Sequence, residues 1–164
     1  GFQEMIGRSL GFLPKDTRIV FAGSIADYVK HELEKIPLDL GAITLNKRSY
    51  FTGRLSEPRL VGLIEFATTI LLPITEGGGS NLKTAEAIMS GKNIVATPYA
   101  FRGFDKLKKL PGVYLSNNKA EFKKNLLKSF ELSSPKRTTA EIKLQQTVEW
   151  SHCLKPLVEE IKAL

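Results

Sequence analysis

Two short apolar segments, Ile70-Leu-Leu72 and Asn93-Ile-Val-Ala-Thr97, flank a glycine-rich turn and a helix-forming stretch. No other feature limits the fold as much. Each segment is apolar at consecutive positions, the pattern of a strand buried on both faces, and a helix between two such strands makes a parallel crossover. The run reads Thr69-Ile-Leu-Leu-Pro-Ile-Thr-Glu-Gly-Gly-Gly-Ser-Asn-Leu-Lys-Thr-Ala-Glu-Ala-Ile-Met-Ser-Gly91. Pro73 ends the first strand because it cannot donate to a ladder. Gly77, Gly78 and Gly79 let backbone approach a ligand closely. Ser80 and Asn81 are both good helix N-caps, and Gly91 stands where a C-terminal glycine stops a helix. Free N–H groups and the positive end of the helix dipole would then face whatever lies over the glycines, which suits a phosphate. Lys83 adds a positive charge there, and Glu86, three residues on along the same helical face, adds an acceptor. The same letters also suit an ordinary strand-to-helix turn.

The rest of the chain alternates in the same way. Phe2, Ile6 and Leu10 recur at helical spacing, and Gly11 and Pro14 close that segment. Arg18 to Gly23 reads as a buried parallel strand. Tyr28, Val29, Leu33 and Ile36 mark a helix ended by Pro37. Leu40 to Leu45 and Tyr50 to Thr52 are candidate strands, and a helix starts near Glu57-Pro58. After Thr97 come a loop over Pro98 to Asp105, a short strand over Val113 to Leu115, and a basic helix with Phe122, Leu126, Leu127 and Phe130. Ser133 to Arg137 reads as a polar connector. From Thr139 the chain is helical, with Ile142, Val148, Leu154, Val158 and Ile161 on one side and a break or kink at Pro156. Such alternation predicts an α/β fold with a doubly wound parallel sheet over 1–137 and a C-terminal helical segment over 138–164. Gly23, the glycine turn and the loop after Thr97 fall at the carboxyl ends of strands, where ligands of such folds sit.

Composition excludes several classes. With 164 residues, 42% hydrophobic and 25% charged, the chain reads as a soluble globular domain. Its longest nearly apolar stretch, Ile64 to Ile74, is too short to span a bilayer. It opens on no charged-then-apolar leader and has no Asn-x-Ser/Thr acceptor, so a cytoplasmic location is expected. Cys153 is alone and His31 and His152 are far apart, so neither a disulfide framework nor a zinc site is expected. The net charge of +7 concentrates between Lys92 and Arg137, where eleven Lys/Arg and three Asp/Glu sum to +8 and leave −1 for the remainder. Such a segment could meet a nucleotide or an anionic membrane surface, or form a solvated face. Nucleic acid is disfavoured, because aromatic residues are not interleaved with the lysines at stacking intervals.

Two familiar phosphate motifs fail. A P-loop over Gly77 to Lys83-Thr84 has the right spacing, but Leu82 occupies the second glycine, and a bulky side chain there obstructs the cradle. Gly77-x-Gly79 followed by Leu82 likewise misses the third glycine of the dinucleotide fingerprint. The longer run Pro73 to Pro98 resembles the donor-binding half of GT-B glycosyltransferases, within the large retaining group that uses nucleotide sugars (glycosyl transferases group 1, family 4-like). That group carries Pro, a Gly-rich turn, Asn-x-Lys, an acid, then a small residue, Gly and an apolar strand ending in Thr. Ala100-Phe101-Arg102-Gly103 matches a subset with Arg-Gly at that point. Leu10-Gly-Phe-Leu-Pro-Lys-Asp to Val-Phe-Ala-Gly23, Phe51-Thr-Gly53 and Trp150 extend a weaker likeness over nearly the whole chain.

The resemblance implies a Rossmann-like donor domain that binds a UDP-, GDP- or dTDP-sugar for transfer of a hexosyl group, with no further cofactor and no metal. The acceptors it implies are those of polysaccharide or glycolipid synthesis, with possible peripheral contact to an anionic membrane. Glu86 would hold the donor ribose, and Lys83 with the N–H groups around Gly78 to Asn81 would hold the pyrophosphate. By the resemblance Lys83 and Glu86 are the catalytic pair, and Gly77, Gly78, Gly79, Ser80, Asn81, Leu82, Lys83, Thr84 and Glu86 line the donor. Two departures are plain. The family often has a second acid eight positions before the first, and here that position is Gly78, with Glu76 two residues too early. No cation follows Gly23 in Ser24-Ile-Ala-Asp27. GT-B enzymes also place the site between two domains, so the resemblance makes this chain the carboxyl-terminal half, inactive without its acceptor domain. Trp150 then faces either that missing half or this domain. A non-catalytic basic module binding anionic membrane or nucleic acid, and a sugar-nucleotide epimerase half, are the alternatives.

Overall fold

The computed structural model describes residues 1–7, 9–35, 45, 47–78, 81–131 and 134–162. The chain is α/β, and its described strands pair in parallel. It forms two compact units, Phe2–Ala67 and Thr68–Leu164, the second also taking Gly1.

In the first unit, α1 (Phe2–Met5) precedes β1 (Ile19–Ala22), α2 (Ile25–Glu34), β2 (Ser49–Gly53) and α3 (Glu57–Phe66). Strands β1 and β2 pair in register Ile19↔Ser49 to Phe21↔Phe51, then shift so that Ala22 meets Gly53. Phe21 and Phe51 therefore lie side by side, with rings stacked at 5.0 Å, and Phe2 meets Phe21 edge-on at 4.8 Å. The opening helix stops at Met5, one turn in, so Ile6 and Leu10 reach the core from irregular chain. Arg48, which the sequence reading passed over, is buried and donates to the carbonyls of Leu10, Pro14 and Thr17, stapling 10–17 to the start of β2. The candidate strand over Leu40 to Leu45 lies outside the described residues except for Leu45, which is helical. Ile36 and Pro37 also lie outside them. Helix α3 starts after Ser56 with proline in its first turn, as expected.

In the second unit β3 (Thr69–Leu72), β4 (Asn93–Ala96) and β5 (Val113–Leu115) form a parallel sheet in the order β3-β4-β5. Central β4 is buried at all four positions, as its uninterrupted apolar sequence requires. Ile94 and Ala96 pack with Ala87 and Ile88 of α4 (Leu82–Met89), and with Leu72, Ala100, Phe101, Leu107 and Leu110. Val95 points to the other face and is equally buried. Helix α5 (Lys119–Glu131) packs against all three strands, with Phe122 and Leu126 inward. Leu127, expected on that inward face, is instead exposed, and Ser129 takes the inner position, hydrogen-bonded to Thr69 at 2.8 Å.

The C-terminal region is three pieces: α6 (Thr139–Gln146), α7 (Trp150–Cys153) and α8 (Lys155–Lys162). The break falls at Leu154, because Pro156 is accommodated in the first turn of α8, where its missing N–H costs no helical bond. The expected single apolar side does not form. Leu144 and Val148 pack on the core, while Ile142, Leu154, Val158 and Ile161 are exposed and Trp150 is 69% exposed. Arg137, read as part of a polar connector, is half-buried and donates to Ile88 O, Pro111 O and Gln145 Oε1. Removal from water pushes its guanidinium below the usual arginine range, with Glu141 opposing that shift. Among the described residues no helix is long and apolar enough to cross a membrane.

Candidate functional site

The turn after Pro73 leaves the carboxyl end of β3, and the chain after Thr97 leaves the carboxyl end of the adjacent β4. The two are tied together. Thr97 Oγ1 donates to Ile74 O and accepts from Ala100 N at 3.2 Å, which starts a 3₁₀ turn over Pro98–Phe101. The Tyr99 hydroxyl donates to Gly77 O, and Arg102 Nη1 donates to the same carbonyl at 3.1 Å. Arg102 Nη1 also donates to the Tyr99 hydroxyl at 2.6 Å, and its guanidinium lies 4.7 Å from the centre of the Tyr99 ring. Gly77 itself has φ +123°, a conformation that needs glycine.

Helix α4 begins behind this strap. Asn81 occupies the N-cap position, as the sequence suggests, but its side chain does not cap the helix. The Asn81 amide instead donates to Tyr99 O at 3.2 Å and Ala100 O at 3.0 Å. One turn in, fully buried Thr84 donates its hydroxyl to the same Ala100 carbonyl at 2.6 Å. Asparagine and threonine thus pull the start of α4 onto the loop that follows β4. With Asn81 so engaged, no group among the described residues takes up the N–H groups of Leu82 and Lys83. Lys83 and Glu86 are exposed on α4, a turn apart, and Leu82 is exposed beside them. At its far end α4 stops at Ser90, Gly91 follows with φ +69°, and Gln145 and Arg137 donate to the carbonyls of Met89 and Ile88.

No family model, curated protein or solved structure matches this chain. Function must therefore be read from the chain's own residues.

Of the nine residues singled out in the sequence, the structure brings Gly77, Gly78, Asn81, Leu82, Lys83, Thr84 and Glu86 into one strand–turn–helix unit. Gly78 is exposed, and a Cβ there would meet none of the described residues within 4 Å. Gly79 and Ser80 lie outside the described residues. Thr84 is committed inward, so it supports the turn from beneath. Glu76 is exposed just before the glycines. Gly23 ends β1 in the other unit, at φ +92°. The sequence reading missed the roles of Tyr99 and Arg102. An aromatic and a cation three residues apart, just past the end of a buried strand, were the available signal.

The basic segment is partly spent on internal contacts. Lys108 pairs with Asp105 at 2.5 Å, Lys128 sits 5.6 Å from the Tyr114 ring centre, and Arg137 is built into the fold. Burial and neighbouring Lys119 push the Lys123 ammonium below its ordinary value.

Proposed function

We propose that this chain binds the diphosphate and ribose of a sugar nucleotide, as the donor half of a hexosyltransferase of the retaining GT-B kind. The observation that carries the reading is the union of the glycine turn with the start of α4. Open backbone, two N–H groups without partners among the described residues, Lys83 and Glu86 stand together at the carboxyl edge of a parallel sheet. Burial of β4 on both faces supports a doubly wound, Rossmann-like sheet around it.

The chemistry follows from the leaving group. Breaking the sugar–phosphate bond puts negative charge on a nucleoside diphosphate, so stabilising that charge is the main catalytic task. Lys83 and the positive end of α4 would supply this without proton transfer. Glu86, a helical turn away, would accept from the ribose hydroxyls and so select a nucleotide over pyrophosphate. Acceptor binding and transfer would need the second GT-B domain, and this chain alone should turn over nothing. The test is thermal unfolding with UDP, GDP and dTDP. A ligand present at a hundred times its dissociation constant should stabilise by about 2.7 kcal/mol, or roughly 5–10 °C for a chain of this size. Absence of any shift at millimolar nucleotide would refute the assignment.

A further inference from the structure

We propose that Tyr99 and Arg102 are positioning residues that lock the Gly77–Gly78 peptide, so that the turn offers an N–H rather than a carbonyl to an anion. The inference rests on the proposed function in taking that anion to be a diphosphate. Gly77 O is held by two donors, the Tyr99 hydroxyl and Arg102 Nη1 at 3.1 Å. Arg102 also donates to the Tyr99 hydroxyl at 2.6 Å, so guanidinium, phenol and carbonyl form one polarised chain. None of the described peptide bonds is cis. In a trans peptide the carbonyl and the following N–H point in opposite directions. Fixing Gly77 O on the Tyr99–Arg102 side therefore turns Gly78 N–H away from it.

Two successive exposed glycines could otherwise turn that peptide over easily, since neither carries a side chain to hinder it and a Cβ at either would meet none of the described residues within 4 Å. Turned over, the carbonyl dipole would face the ligand and repel an anion. Arg102 is exposed and Tyr99 half-buried, and neither belongs to the hydrophobic core. Their bonds act on the turn, where a ligand would feel them, rather than on packing.

The experiment titrates inorganic pyrophosphate and the three nucleoside diphosphates into ¹⁵N-labelled wild type and Tyr99→Phe. This substitution keeps the ring under Arg102 and removes only the hydroxyl. Both ligand types should move the Gly78 amide resonance in the wild type, and Tyr99→Phe should weaken both by the same factor, about fivefold. The melting temperature without ligand should stay within about 3 °C of wild type, since both lost bonds are exposed. A purely structural role would lower the melting temperature and leave the Gly78 amide response intact. Should Tyr99→Phe fail to fold, Arg102→Gln makes the same comparison from an exposed position. Equal nucleotide binding by wild type and variant overturns the lock and leaves the sugar-nucleotide reading standing. Pyrophosphate binding that weakens in the variant, with nucleoside diphosphates no tighter, keeps the lock and removes that reading. If neither ligand binds the wild type, both fall.

Discussion

The Ala100 carbonyl gives the sharpest test of how the turn is held. It lies in a residue with no exposed surface and accepts from Thr84 Oγ1 at 2.6 Å and Asn81 Nδ2 at 3.0 Å. Thr84→Val keeps the shape and removes one donor. Because Asn81 still satisfies the carbonyl, the loss should be that of one ordinary hydrogen bond, about 1 kcal/mol, or roughly 2–4 °C in melting temperature. Asn81→Ala should cost about 1–2 kcal/mol: it loses the bonds to Tyr99 O and Ala100 O, but the amide caps no helix N–H, and Arg102 N and Thr84 Oγ1 remain on those carbonyls. The double variant differs in kind. It leaves a buried carbonyl with no donor, which carries the full desolvation penalty of about 1–3 kcal/mol on top of the lost bonds. Urea unfolding of the four proteins at constant m-value should therefore give a double-variant loss exceeding the sum of the singles by at least about 0.5 kcal/mol. Additivity within about 0.3 kcal/mol would show that the two side chains do not share one acceptor, and would refute the account of how α4 is seated.

Two further outcomes are expected. Arg48→Met should destabilise by about 1–3 kcal/mol in the same unfolding assay, because it removes three donations from one guanidinium, although the carbonyls of Leu10, Pro14 and Thr17 each keep a local donor in Leu13 N, Thr17 N and Arg18 Nη1; a loss below about 0.5 kcal/mol would contradict the staple. Glu141 closes a capping box with Thr138 at the start of α6, and the bonds from the Thr138 backbone N–H and hydroxyl hold its carboxyl below the ordinary 4.5. A depressed carboxylate contributes stability above its unfolded pKa and loses it as pH falls through the folded one, so amide protection in the first turn of α6 should drop below about pH 4.5 in the wild type. It should be flat with pH in Glu141→Gln.

The parts of the fold legible in the sequence are those set by local pattern. Strands β1, β3, β4 and β5 announce themselves as consecutive apolar residues, although only β4 is buried throughout and Val20 of β1, expected inside, is exposed; Pro73, Gly91 and Glu57-Pro58 mark ends that the structure keeps. Parallel pairing followed from the helices between strands. What was not legible depends on partners distant in sequence. Asn81 reads as a cap because asparagine caps helices, yet the two carbonyls of the 97–102 loop compete for its amide. Leu127 fits a helical stripe as well as Leu126 does, and only packing against the sheet decides which turns inward. Arg48 and Arg137 look like surface cations, and their carbonyl partners lie up to 49 residues away. At the candidate site the sequence marked the glycines, Lys83 and Glu86, whose residue types carry the chemistry. It offered Arg102 only as part of a resemblance and gave Tyr99 no role, because both act through the Gly77 carbonyl, a partner more than twenty residues away.

The central claim is that one turn-and-helix unit reads both a diphosphate and a ribose, and calorimetry on three proteins tests it directly. Dissociation constants for UDP, GDP, dTDP and inorganic pyrophosphate should be measured on wild type, Lys83→Ala and Glu86→Ala. Lys83→Ala should weaken all the ligands together, by roughly tenfold for a lost charge-assisted contact. Glu86→Ala should weaken the preferred nucleoside diphosphate by a similar factor and leave pyrophosphate unchanged. Glu86→Ala weakening nucleotide and pyrophosphate alike, or neither, would contradict the claim.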